Sequence, residues 1–130
     1  MKIIDLGNEV SVIRVADPVA VTTTAALGQV IDLQGYQGKV KICLAVGAVT
    51  GTTPTLDIKV QDCDTSGGTY ADLSTSVAFA QKVTGSANSV DSVAVDTRAC
   101  RRYIKLYATA GGTSPSFTLG AVAVGQKQFI

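Results

Sequence analysis

Histidine and tryptophan are absent from this 130-residue chain, methionine occurs once, and proline and cysteine occur three times each. Without histidine there is no Ser-His-Asp or Cys-His arrangement. The commonest metal ligand and the usual near-neutral general base are missing too. Neither GxGxxG nor GxxxxGK[ST] occurs, so a nucleotide enzyme is disfavoured, and the glycines sit at strand ends where turns need them. No apolar run approaches the roughly 18 to 20 residues of a membrane span. The opening "MKIIDLGNEVSVIRVAD" is broken by Asp5, Asn8, Glu9 and Arg14 inside what would have to be a signal h-region. The expectation is a chain made and kept in a cytoplasm, with no membrane partner. Cys43, Cys63 and Cys100 are odd in number, widely spaced and form no CxxC, which argues against a disulfide framework and a zinc site. Free thiols, buried or half-buried, are expected, with no metal and no cofactor.

Charge is also scarce. Charged residues make up 16% of the chain, with 11 Lys and Arg against 10 Asp and Glu, where soluble domains carry roughly 25%. So little charge fits a surface that faces another protein, and it fits a neutral β domain equally well. Basic residues are scattered, so no electrostatic footprint for nucleic acid appears. Arg98, Arg101 and Arg102 form the one basic cluster and read as a solvated edge or an interface, not as a phosphate site.

What is abundant is β-branched: Val and Thr together supply about a quarter of the residues. Residues 39–46 alternate, with Val40, Ile42, Leu44 and Val46 on one face and Lys39, Lys41, Cys43 and Ala45 on the other. Residues 55–61 set Leu56, Ile58 and Val60 against Asp57, Lys59 and Gln61 in the same way. The connecting "GAVTGTTP" brings Gly47, Gly51 and Pro54, which predicts a reversal and an antiparallel hairpin. A second hairpin is predicted from "RRYIKLYATA", the turn "GGTSP" and "SFTLGAVAVGQ". In its return strand both registers, Phe117/Leu119/Ala121 and Val122/Val124, are apolar, so this strand is central in a sandwich or covered on its outer side by a partner. "EVSVIRV" and "PVAVTTTAA" read as strands separated by Asp17-Pro18, "GQVIDLQGYQG" as a short strand ending in glycine turns, and "SVAFAQKVTGSANSVDSVAVDT" as two short strands around "TGSANS". No segment carries a helical apolar stripe. The fold class is all-β: an antiparallel β-sandwich, jelly-roll-like, of about eight strands, forming one domain over residues 1–130.

Carboxylates are what remains for chemistry. In "DCDTSGG", Asp62 and Asp64 faintly echo a calcium loop, but the position of the bidentate Glu is held by Leu73. An Asx turn, with Gly67-Gly68 at positive φ, accounts for the stretch without an ion. Asp57, Asp62, Asp64 and Asp72 are the residues a glycosidase-like pair could draw on, yet solvated positions on a polar strand face or in a turn are the simpler account. Tyr36, Tyr70, Tyr103 and Tyr107 form no evident stripe for sugar stacking. The chain reads as a non-enzyme.

Three stretches, "IDLQGYQGKVKICLAVGAV", "LDIKVQDCDTSGGTYADL" and "RRYIKLYATAGGTSPSFTLGAVAVG", carry a family resemblance. Over about residues 30–125 the chain resembles the capsid decoration proteins of tailed bacteriophages, also called cement or minor head proteins. The shared features are the "IDLQGYQG" approach to a strand, a "KVQ" strand ending in an Asp-rich turn, a Tyr and "ADL" after it, and an Arg-Tyr strand near the end. The resemblance implies a sandwich that binds the outside of an icosahedral shell, commonly as a homotrimer, and clamps neighbouring major capsid subunits. It implies a virion location after synthesis in a bacterial cytoplasm. Residues 1–15 then become an arm contacting neighbouring subunits, with an ordinary first strand as the alternative. The interface residues expected on this basis are Ile3, Ile4, Leu6, Val10, Arg101, Arg102, Phe129 and Ile130. The other reading left open is a tail or surface adhesion module that binds a host glycan.

Overall fold

The computed structural model describes residues 10–73 and 76–127. Six strands form one continuous antiparallel sheet: β1 (Val10–Val21), β2 (Ala25–Asp32), β3 (Tyr36–Cys63), β4 (Ala71–Asp72), β5 (Ser89–Asp96) and β6 (Tyr103–Lys127). A 3-10 turn at Thr84–Ser86 is the one helical element among the described residues. No helix there is long and apolar enough to cross a membrane.

Neither predicted hairpin forms. Residues 39–46 and 55–61 belong to the single strand β3, and the two arms of the other expected hairpin belong to the single strand β6. The two long strands pair with each other along their whole length, from Tyr36↔Lys127 to Cys63↔Tyr103. The reason lies in where the chain breakers meet. Thr52 pairs with Thr113 and Thr55 with Gly111, and the register slips between Thr50 and Thr55, so Gly51 and Pro54 of β3 lie opposite Gly112 and Pro115 of β6. Gly51 (φ 116°) and Gly112 (φ 93°) hold backbone angles that an L-residue rarely adopts, and Thr53 (φ 45°) and Ser114 (φ 48°) are also left-handed. Residues that would turn one strand back on itself instead bend two paired strands together.

The bend divides the sheet into two halves of four strands. The upper half runs β1, the C-terminal half of β6, the N-terminal half of β3, then β5. The lower half runs β2, the other half of β6, the other half of β3, then β4. Residues 77–82 continue the β4 edge through Leu56↔Lys82 and Lys59↔Ala78 and through the backbone bonds Val60 N–H to Val77 O and Phe79 N–H to Ile58 O, each 2.9 Å. Asp17-Pro18 does not separate two strands: β1 passes through it with two register slips.

The inward side chains of both halves meet in one core. Val40, Ile42, Leu44 and Val46 of the upper half and Leu56, Ile58 and Val60 of the lower half are all at most 3% exposed, as the period-2 pattern requires. From β6 the core takes Ile104, Leu106 and Ala108 on one side of the bend and Phe117, Leu119, Ala121 and Ala123 on the other. The result is a β-sandwich-like all-β fold, built from six strands and not eight, because two of them serve both layers.

Candidate binding face

The outward faces of the two halves differ in chemistry. In the upper half the pairing lines up Val12, Val124, Lys41 and Ala94 in one row and Arg14, Val122, Cys43 and Ser92 in the next. A third row holds Gly120, Ala45 and Val90, with Pro18 at its β1 end. Val90 is 77% exposed, Val12 68% and Val122 42%. Pro18, Cys43, Ala45, Val90, Gly120 and Val122 surround an open apolar hollow of about 220 Å³. β6 is therefore a central strand, as its two apolar registers require, and its outer register faces solvent in the single chain.

The lower half is polar, and several of its charged side chains are held within the chain. Lys59 Nζ lies 2.9 Å from Asp72 Oδ1, and Gln61 donates to the same carboxylate at 3.2 Å. Gln81 Nε2 donates to both oxygens of Asp57 at 3.1 and 3.2 Å. Arg102 grips Asp32 through Nε at 3.0 Å and Nη2 at 2.9 Å. The hydrogen bond from Arg102 holds the Asp32 carboxyl below the usual carboxylate range, and Lys59 does the same to Asp72. A glycosidase general acid needs the opposite shift.

The carboxylates of the Asp-rich stretch are drawn into a different role from the expected turn. Asp62 is buried and accepts the Arg101 backbone N–H at 2.9 Å, Nη2 at 2.9 Å and Nε at 3.2 Å, while Nη2 also donates to the Asp62 backbone carbonyl at 2.8 Å. It is the anchor of the segment before β6 and not an Asx-turn residue. Gly67 and Gly68 do not take positive φ; the turn closes through Gly68 N–H to Thr65 O at 3.2 Å. Asp64, with a side chain 79% exposed, lies 3.9 Å from Arg101 Nη1. Asp62, Asp72, Arg98, Cys100 and Arg101 border an open hollow of about 540 Å³, but the acids there are already held by Arg101 and Lys59.

Three of the four tyrosines stand around this lower outer face, a grouping that the linear spacing hides. Each already carries a cation over its ring: Arg102 on Tyr103 at 4.9 Å, Lys59 on Tyr107 at 5.7 Å and Lys105 on Tyr70 at 4.2 Å.

Cys43, Cys63 and Cys100 are free thiols, Cys63 buried and the others half-buried. Burial, with the negative charges of Asp62 and Asp96 nearby, pushes the Cys100 thiol up to about 11. No group of three His, Cys, Asp or Glu side chains suited to a metal ion is present among the described residues.

Of the interface residues expected from the resemblance, Val10 opens β1 and pairs with Gln126 of the same chain, so residues 10–15 form a first strand of their own domain. Arg101 and Arg102 are tied to Asp62 and Asp32. Ile3, Ile4, Leu6, Phe129 and Ile130 lie outside the described residues. Sequence reading found the Val122/Val124 part of the apolar upper face and missed Val12 and Val90, because it weighed strands singly. The signal was Val90, which falls on the register opposite Val93 and Val95.

No protein-family model matches the chain, and no curated protein does. Among solved structures, a chain from the structure of infectious bursal disease virus Gx strain aligns over 91% of this chain with a TM-score of 0.55 and 14% identity. This chain spans 32% of that one. A chain from Bacillus endospore appendages, a novel family of disulfide-linked pili, aligns over 99% of this chain and 98% of its own at a TM-score of 0.44 and 18% identity. The likeness to the viral chain is one of fold.

Proposed function

We propose that the chain is a structural virion protein that binds the outer surface of a tailed-phage capsid and stabilises contacts between major capsid subunits, acting as a homotrimer and without catalysis. The observation that carries this reading is the asymmetry of the two faces. The lower half ties most of its charge into intrachain pairs and exposes Val30 and Val83 singly, whereas the upper face groups Val12, Val90 and Val122 in solvent on a sheet with few charges. A binding protein needs such a face, and a subunit repeated over a shell can use a weak one, since each further contact of an oligomer forms in an effectively intramolecular step. The fold shared with a chain of a virus structure and the sequence resemblance to phage head proteins agree with this assignment. The glycan reading has less behind it, because the tyrosine rings that would stack on a sugar already carry Arg102, Lys59 and Lys105.

The test is to mix the purified chain with undecorated heads assembled from the major capsid protein of the same viral genome. The chain co-sediments with the heads and raises their resistance to heat and chelators. A strict monomer at high concentration that neither pellets with heads nor protects them refutes the proposal.

A further inference from the structure

Resting on that reading, we infer that the upper outer face is the docking face, and that it fits a protein surface that is apolar at its centre and acidic beside Lys41. Two observations choose this occupant over a second copy of the chain. The first is area. With strands about 4.8 Å apart and about 3.4 Å per residue, three rows across four strands cover about 400 Å². A stable pair of proteins buries about 800 Å² on each partner, so a second copy seated here would form at best a weak dimer. A repeated lattice makes the same modest patch sufficient.

The second observation is charge. The three rows contain two charged side chains, Arg14 and Lys41, both cationic. Arg14 has Asp17 at 3.4 Å, whereas Lys41 makes no ion pair among the described residues. A second copy would set a face whose rows carry only cations against another of the same sign. A partner with carboxylates beside an apolar patch complements the face in both respects.

The experiment compares the wild-type chain with V90E/V122E and K41E on this face and T109E on the lower one. Val90, Val122, Lys41 and Thr109 are exposed, so the variants keep the fold, which circular dichroism confirms. Bis-ANS, an anionic aromatic dye, probes the face without any viral component. Its emission falls about tenfold in V90E/V122E and is unchanged in T109E. Pelleting with undecorated heads falls about a hundredfold for V90E/V122E and about tenfold for K41E, the latter difference shrinking as salt is raised.

Heads that bind V90E/V122E as well as wild type overturn the docking face and leave the virion assignment standing. Dye emission that ignores V90E/V122E overturns it as well. A wild-type dimer that V90E/V122E dissolves in sedimentation velocity overturns the choice of occupant in favour of a second copy. Wild-type chain that ignores heads while its dye response follows the face refutes the virion assignment and supports the face.

Discussion

Substituting Gly112 tests the bend that turns one sheet into two layers. Its φ of 93° is a glycine conformation, and a side chain held there costs about 1–3 kcal/mol. A Cβ on Gly112 would also run into the Thr53 carbonyl oxygen, with Thr52 O at 2.9 Å and Pro54 Cα at 3.0 Å behind it. These are backbone atoms of the facing strand, so β3 and β6 must part locally, which adds about 1–3 kcal/mol. G112A should therefore lose about 3 kcal/mol in urea unfolding, a fall of about 10 °C in Tm for a domain of this size. Gly51 faces the same corner, where an added Cβ meets Ser114 O at 2.7 Å and Thr113 O at 3.0 Å. G51A/G112A should then cost less than the sum of the single changes, because one parting of the strands relieves both. Gly67 is the control: nothing lies within 4 Å of its Cβ position and its φ is not positive. G67A should change stability by less than about 0.5 kcal/mol. If Gly112 closed an ordinary hairpin loop, the strand opposite would not be in the way. A G112A cost below about 1 kcal/mol, or one equal to that of G67A, refutes the shared bend.

Four further outcomes follow from the polar contacts and thiols. R101M leaves the buried Asp62 carboxylate with only the Arg101 backbone N–H and should lower Tm by roughly 5 °C, while D62L/R101M recovers most of the loss; a double variant as unstable as R101M argues against pairing as the cause. Because Cys100 titrates at about 11, only about one molecule in a thousand carries its thiolate at pH 8, and mass spectrometry after iodoacetamide treatment should show Cys43 modified first. Its raised value also means that the folded chain holds the proton longer than the unfolded one, so stability falls as pH rises from 9 towards about 11, and C100A flattens that fall. Asp32, Asp72 and Asp91 are all held below their ordinary 3.8 by Arg102, Lys59 and Lys82. Their contribution is complete above that value and is lost as pH falls through the lower folded values, so urea midpoints should drop between about pH 5 and pH 2, and less steeply in K59M.

The faces of the strands were legible residue by residue, and their partners were not. Alternation placed Val40 to Val46 and Leu56 to Val60 on their inner sides, because period 2 is a property of the strand alone, whereas both registers of residues 117–124 were apolar and only the pairing shows Phe117 to Ala121 to be the inner one. Pairing is not local. "GAVTGTTP" and "GGTSP" are good reversals taken singly, and only their juxtaposition through Thr52↔Thr113 shows them to be two sides of one corner. The same holds for the charges. Asp62 looked like a turn residue because its neighbours are Asp64, Gly67 and Gly68, while its partner Arg101 lies at the far end of another connection. The apolar outer face required four strands in register before Val12, Val122 and Val90 could be seen as neighbours. Two of those strands, β1 and β6, are paired although they are the first and last of the described strands.

That last feature also governs how the molecule is made. β1 is hydrogen-bonded to β6 from Val10↔Gln126 to Val21↔Phe117, so β1 stays without its ladder partner until residues 117–126 have been synthesised. Contact order this high places folding in the slow range of milliseconds to seconds, and closing the β1 ladder has to wait for residues 117–126. Until then β1 is an unclaimed template for any strand that drifts past, and truncating β6 should send the product into inclusion bodies instead of yielding a smaller domain.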